Sequence, residues 1–184
     1  EAVARSISEH APYQVEFRIV RPNGTVAWLE SRGQLFLGPD GQPERFAGVT
    51  VDVTERKRVE FNQKFLVDFS DRMRPLANPS EVLRVAVGSV GEFLEVSRCL
   101  CAEVMTESRE IIVFRNYCDG VEGLDGIYSF SDIKLRLIDS LLHGDTIVVN
   151  DAKTDARTMS VYDSFFAPRQ IRAFIVVPYV EEGI

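Results

Sequence analysis

The spacing of apolar residues changes period at Asp52-Val53-Thr54-Glu55-Arg56-Lys57-Arg58, and that change limits what the chain can fold into. Upstream, apolar residues alternate: Val15, Phe17 and Ile19, then Val26 and Trp28, then Ala47, Val49, Val51 and Val53. Alternation puts one set of side chains on each face of a sheet. Downstream the spacing is helical. Val59, Leu66 and Met73 recur one heptad apart, with Asn62, Phe69 and Leu76 following each, which is the seam pattern of a coiled coil. A sheet that ends directly in such a helix can carry a change in the sheet to whatever lies beyond. That architecture suits a sensor better than an active site.

Turn chemistry divides the chain further. Strands are expected over 14–20, 25–37 and 45–53, joined at Arg21-Pro22-Asn23-Gly24 and at the glycine- and proline-rich 38–43, as an antiparallel meander. Asn23-Gly24-Thr25 fits a glycosylation sequon but falls at the turn and reads as turn chemistry. Thr54 is placed to cap a helix running to about Arg74, where Pro75 and then Pro79 interrupt it. A second helix begins near Asn78-Pro79-Ser80-Glu81 and is expected to bury Val82, Val85, Ala86, Val90 and Phe93. A hairpin follows over 98–105 and 110–118. Leu100, Ala102, Val104, Ile111 and Val113 share one face, Cys99, Cys101, Ile112 and Phe114 the other, as in a sheet covered on both sides. A glycine-rich excursion spans 119–132. Next comes an amphipathic helix (Ile133, Leu135, Leu137, Ile138, Leu141, Leu142) stopped at Gly144. A short strand at 146–149, a loose helix at 158–167, a strand at 173–180 and the start of a hairpin at 181–184 complete the pattern.

Composition excludes several functions. The formal charge of −7 leaves no strongly basic face for nucleic acid, and Arg56-Lys57-Arg58 reads as a solvated first helical turn. No run of about 18 apolar residues is present, so no membrane span is expected. Three cysteines without a secretory signal fit a reducing cytosol, and a chain opening on Glu1 reads as an excerpt or a processed product.

The first part resembles the C-terminal half of a PAS domain, the PAC motif. It does so through Glu16-Phe17-Arg18-Ile19, Pro22-Asn23-Gly24, Trp28-Leu29-Glu30-Ser31-Arg32-Gly33, Asp40-Gly41, Gly48-Val49-Thr50 and Asp52-Val53-Thr54-Glu55-Arg56. Asp52-Val53-Thr54 stands where the family usually has Asp-Ile-Thr. The helical N-terminal half of such a domain is absent or reduced to residues 1–12. Later residues resemble a GAF domain: Phe69 to Leu76 leading in, then Asp119-Gly120-Val121, Tyr128 to Asp132, Val148 to Asp151 with Asp155, and Ile171 to Pro178. The fold class implied is α+β, with antiparallel sheets of a partial PAS domain (1–54) and a C-terminally truncated GAF domain (77–184) joined by a signalling helix (55–76). The resemblance implies a non-catalytic, cytoplasmic sensory region of a bacterial two-component sensor histidine kinase, with downstream kinase domains as partners. Alternatives are the sensory region of a cyclic-dinucleotide synthase and a small-molecule-binding GAF receptor.

Within that frame Asp52, Thr54, Val59, Asn62, Leu66, Phe69 and Met73 are the candidate relay residues. Phe61 and Phe65 widen the stripe, so the helix could lie on its own domain or on a second subunit; the resemblance favours a homodimer through the helix. Cys99, Cys101 and Cys118 are expected as core residues rather than metal ligands. No cofactor can be named. Neither His10 nor His143 adjoins a cysteine and Asp132-Ile133-Lys134 is a faint echo of the bilin motif, which argues against a covalent bilin. Asn150-Asp151 and Phe166 do not complete the cyclic-nucleotide pattern. Asp151 and Asp155 read as loop residues, not paired acids, and His143 as a helix-end residue. Trp28 is expected to pack rather than to line a pocket. No catalytic motif is present.

Overall fold

The structure, a computed structural model, describes residues 12–132 and 135–180. The expectations for residues 1–11 with His10, for Ile133 and Lys134, for the burial of Leu135 and for 181–184 lie outside those residues. The chain divides into two compact units, 1–68 and 69–184.

In the first unit β1 (Tyr13–Val20), β2 (Val26–Leu37) and β3 (Pro43–Asp52) form an antiparallel sheet in sequence order. Glu16 lies opposite Glu30, Arg18 opposite Trp28, and Leu29 opposite Asp52. Because cross-strand partners share a face, Tyr13, Val15, Phe17, Leu29 and Phe46 line one side, and Glu16, Arg18, Trp28, Glu30 and Arg32 the other. The first turn closes as its residues dictate. Gly24 adopts φ +82°, and Asn23 Oδ1 accepts hydrogen bonds from the Thr25 N–H and hydroxyl. Gly33 and Gly48 face each other in the ladder; a Cβ on Gly48 would collide with the Arg32 carbonyl and one on Gly33 with the Phe46 ring.

Helix α1 (Thr54–Met73) follows β3 after a single residue and buries none of its side chains. The boundary between the two units falls inside it. Pro75 ends the helix as expected, but that leaves Leu76 beyond it, in a turn where the Leu76 N–H donates to the Met73 carbonyl at 3.0 Å. The helical seam therefore ends at Met73.

In the second unit α2 (Pro79–Phe93) starts at Asn78, whose Oδ1 accepts from the Ser80 N–H at 2.9 Å. Its buried residues are Val87, Ser89 and Gly91. Val82, Val85, Ala86 and Val90 are half-buried, and Phe93 is exposed. The reason is steric: Gly91 lies against the Tyr117 ring, where any Cβ would collide, so the Val87–Gly91 side of the helix meets the sheet.

Strands β4 (Arg98–Met105), β5 (Glu110–Cys118) and β6 (Gly126–Ser129) form an antiparallel sheet. Strand β6 falls inside the stretch read as a glycine-rich excursion, and pairs Ile111 with Tyr128. Cys101 pairs with Arg115 and Ala102 with Val113, which leaves Phe114 as a bulge. The bulge keeps the expected Leu100–Val113 face and adds Asn116 and Cys118 to it. Cys118 thus lies on the opposite face from Cys99 and Cys101, and it is exposed rather than a core residue.

Helix α3 (Leu135–Leu142) buries Leu137 and Ile138, exposes Leu142, and stops at Gly144 with φ +81°. Strands β7 (Ile147–Val149) and β8 (Phe174–Val176) pair antiparallel. Strand β8 is three residues long, not the expected eight, and Val177 to Val180 run on unpaired in the sheet. The loose helix is a 3-10 turn (Met159–Val161) followed by a π turn (Tyr162–Phe166) that buries Phe165 and Phe166. Two apolar clusters result, one around Leu137, Ile147, Val149, Phe165 and Phe166, the other around Ile111, Val113, Phe130 and Ile138. Tyr128 and Leu141 touch both.

Candidate functional site

The junction between β3 and α1 is built by backbone and side chain together. Val53, the one residue between them, is buried; its N–H donates to the Trp28 carbonyl at 2.8 Å and its carbonyl accepts the Lys57 N–H at 2.9 Å. One residue therefore closes the sheet ladder and opens the helical one. Asp52 Oδ1 accepts the Thr54 N–H at 2.9 Å, and its other oxygen takes the guanidinium of Arg21. The capping acceptor is thus Asp52, not Thr54. Thr54 is already the first helical residue, and its hydroxyl accepts the Trp28 N–H at 3.0 Å, tying α1 to β2. Sequence placed a capping residue here correctly but chose its neighbour, because both types accept hydrogen bonds equally well at such positions.

The next turn docks on the charged face of the sheet. Lys57 Nζ lies 2.5 Å from Glu16 Oε2, and Arg56 Nη2 lies 2.8 Å from Glu16 Oε1 and 3.1 Å from Glu30 Oε2. Two cations approach the Trp28 ring, Arg18 at 5.6 Å and Lys57 at 5.7 Å from its centre, and Phe61 lies beside it at 6.4 Å. Arg56 and Lys57 are therefore engaged by the sheet, whereas Arg58 alone fits the solvated reading, pairing with exposed Glu55. Glu16 is held below the usual carboxylate range by the Lys57 ammonium and then by Arg56. Asp52 is likewise lowered, first by the Thr54 hydroxyl, then by the Thr54 N–H, with Arg21 adding to it. Both stay ionised at neutral pH, so this cluster binds and positions rather than shuttling protons.

Of the sequence-derived relay residues, the structure brings Asp52 and Thr54 together with Arg21 and Trp28. Val59, Asn62 and Leu66 lie elsewhere. At about 100° per residue the seam of Val59, Asn62, Leu66, Phe69 and Met73 is centred about 180° around the helix from Arg56, Lys57, Glu60 and Phe61. Val59 and Leu66 are 44% and 59% exposed, Asn62 is exposed, and Phe69 and Met73 are half-buried. Trp28 packs against α1 as expected. Glu16, Glu30 and Arg21 were not singled out beforehand. The available signal was Gln14, Glu16 and Arg18 facing Trp28, Glu30 and Arg32, a polar sheet face next to a basic helix start.

Elsewhere the candidate chemistry resolves into structure. Asp155 is lowered to about 2 by the Arg157 guanidinium, which meets both its oxygens, and by the Arg157 N–H. Asp151 pairs instead with Arg172 at 2.7 Å. Each acid has its own arginine, so they form no dyad. Burial raises the Cys99 and Cys101 thiols, which keeps them protonated and unreactive. His143 Nδ1 sits 2.7 Å from the Asp139 carbonyl at the end of α3. Among the described residues no group of three or more histidine, cysteine or acidic side chains could hold a metal ion, and no helix is long and apolar enough to cross a membrane.

Comparison with known proteins bears on both units. Residues 1–50 match the family described as PAS fold. Blue-light-activated histidine kinases of Brucella ovis and Brucella abortus are 40% identical over 52 residues, 28% of this chain. The match spans only 10% of those relatives' length. Over nearly the whole chain (98%), the structure is similar to 65% of the chromophore-binding domain of an unusual bacteriophytochrome from R. palustris, with a TM-score of 0.55 and 12% identity. The chain thus has the α+β succession of a PAS-type sheet followed by a GAF-type fold, with sheets that do not close.

Proposed function

We propose that this chain is a non-catalytic sensory and relay segment of a cytoplasmic two-component histidine kinase, working as a homodimer through α1. A stimulus in either unit biases two packings of the paired helices, and the bias reaches the kinase domains downstream. The observation that carries this reading is the junction. Strand and helix share Val53 as a buried pivot, Asp52 accepts the Thr54 N–H, the Thr54 hydroxyl ties the helix to β2, and the Val59–Met73 seam lies on the side of α1 opposite the sheet contacts. This reading takes 1–54, 55–76 and 77–184 as its parts, with α1 as the connecting element. Relatives named as blue-light-activated histidine kinases support a kinase as the parent.

In this reading Asp52 and Thr54 transmit strain from the sheet, while Val59, Asn62, Leu66, Phe69 and Met73 set the register of the pair. Asn62 at a seam position selects one register at some cost in stability. Inserting one alanine after Arg58 in the complete kinase rotates the seam by about 100° relative to the sheet. Autophosphorylation should then lose its dependence on stimulus, and insertion of seven residues should restore it. Unchanged regulation after the single insertion rules the register model out.

A further inference from the structure

The side by which α1 meets the sheet is charged, and its ions have two sets of partners. On the sheet, Glu16 takes both Lys57 and Arg56, and Glu30 takes Arg56. On the helix itself, Glu60 Oε1 lies 3.0 Å from Arg56 and Glu60 Oε2 3.4 Å from Lys57. Glu30 has its own reserve as well: Gln14 Nε2 at 2.9 Å and Arg32 at 2.6 Å. Losing the pairs between sheet and helix would therefore leave both cations, and Glu30, with a partner. None of residues 54–61 is buried, and the ring contact on this side is Phe61 on Trp28, with Phe61 52% exposed. The paired side chains are partly exposed, 47% at Arg56, 32% at Glu16, 18% at Lys57 and 13% at Glu30, so salt reaches and screens them, whereas it does not weaken apolar burial.

We infer that this docking is an ionic-strength-dependent latch. At low ionic strength Lys57 and Arg56 hold the first two turns of α1 against β1 and β2. As salt rises the pairs to Glu16 and Glu30 are screened, the local pairs with Glu60 that are already formed stay within reach of both cations, and these turns lift from the Trp28 ring. Val53 and the hydrogen bond from Trp28 to Thr54 remain as the hinge, since neither depends on charge. The screening length falls from about 30 Å at about 0.01 M salt to about 3 Å at about 1 M, the scale of the pair distances themselves. Only the downstream consequence of the latch rests on the relay reading; the docking can be measured on its own.

Trp28 is the sole tryptophan of the chain and sits under Lys57, so its exposure reports the latch. Acrylamide quenching should rise about twofold between about 0.02 M and about 0.5 M potassium chloride, the range over which the pairs become screened. Sucrose at matched osmolality, after correction for viscosity, should leave it unchanged. Glu16→Gln, which removes the acceptor shared by both cations and leaves the sheet only the Arg56–Glu30 pair, should start at low salt most of the way to the high-salt value. Glu107→Gln, in the turn between β4 and β5, should behave as wild type. Salt-independent quenching in the wild-type chain with a native circular dichroism spectrum would overturn the latch, as would a full salt response in Glu16→Gln. A real latch beside an inert alanine insertion would leave it standing and remove only the relay.

Discussion

In the second unit Ile138, Ile147 and Val149 are at most 2% exposed, whereas every residue of β3 in the first unit is exposed. The second unit is held by apolar burial, which salt does not screen and small changes of pH do not titrate. Among the described residues the first is held by a ladder of backbone bonds, two small buried residues, Ala27 and Val53, and a group of ion pairs. A junction built from many exchangeable contacts can shift between arrangements at small cost. A packed cluster such as that of Phe165 and Phe166 cannot. The contrast separates a region suited to changing state from one suited to staying put.

Substitutions can break this contrast in order of expected effect. Ile138→Ala, at a site 1% exposed between Phe130 and the sheet, should cost about 2–5 kcal/mol in denaturant unfolding of the chain. A loss near zero would mean the second cluster carries no stability. Thr158→Val removes a buried hydroxyl that donates to the Ala152 carbonyl at 2.6 Å; a loss of about 1–3 kcal/mol is expected, since the carbonyl is left unsatisfied. Thr54→Val removes the acceptor of the Trp28 N–H in the first unit and should cost about 1 kcal/mol, less than its counterpart because the site is only half-buried. Equal costs at the two threonines would erase the distinction between the units.

The smallest effect is that of acid on Asp155. Its folded value of about 2 lies below the ordinary 3.8, so the stability it contributes is present above about pH 4 and is lost as pH falls through about 2. Asp155→Asn should flatten the pH dependence of melting only in that window. Flattening at neutral pH would contradict the assigned pairing with Arg157.

Most of the fold was legible because its elements carry strong local signals. Asn23-Gly24 fixed the first turn, Asn78-Pro79 the start of α2, and Gly144 the end of α3. What could not be read depends on partners distant in sequence. Strand β6 is four residues, and only pairing of Tyr128 with Ile111 makes it a strand. Strand β8 stops at Val176 although Val177 and Val180 continue the apolar run, because β7 offers three residues to pair with. At the junction, the change of period marked where sheet gives way to helix, Thr54 was placed there from its type, and Asp52 from the resemblance of Asp52-Val53-Thr54 to the family's ending. Glu16 and Glu30, named only for the resemblance, were not read as partners of the helix because acids on a strand face are ordinarily solvated; a basic helix landing on them is a tertiary fact. The bulge at Phe114, which separates Cys118 from Cys99 and Cys101, likewise left no trace in composition.

Whether strand and helix act as one body can be read from amide hydrogen exchange at low ionic strength. The Val53 and Lys57 amides should open together with those of β2 around Trp28, with protection within about tenfold of theirs, as members of one cooperative element. Coil-like exchange from Val53 to Arg58 beside a protected β2 would show that sheet and helix are merely tethered, and the account would fail.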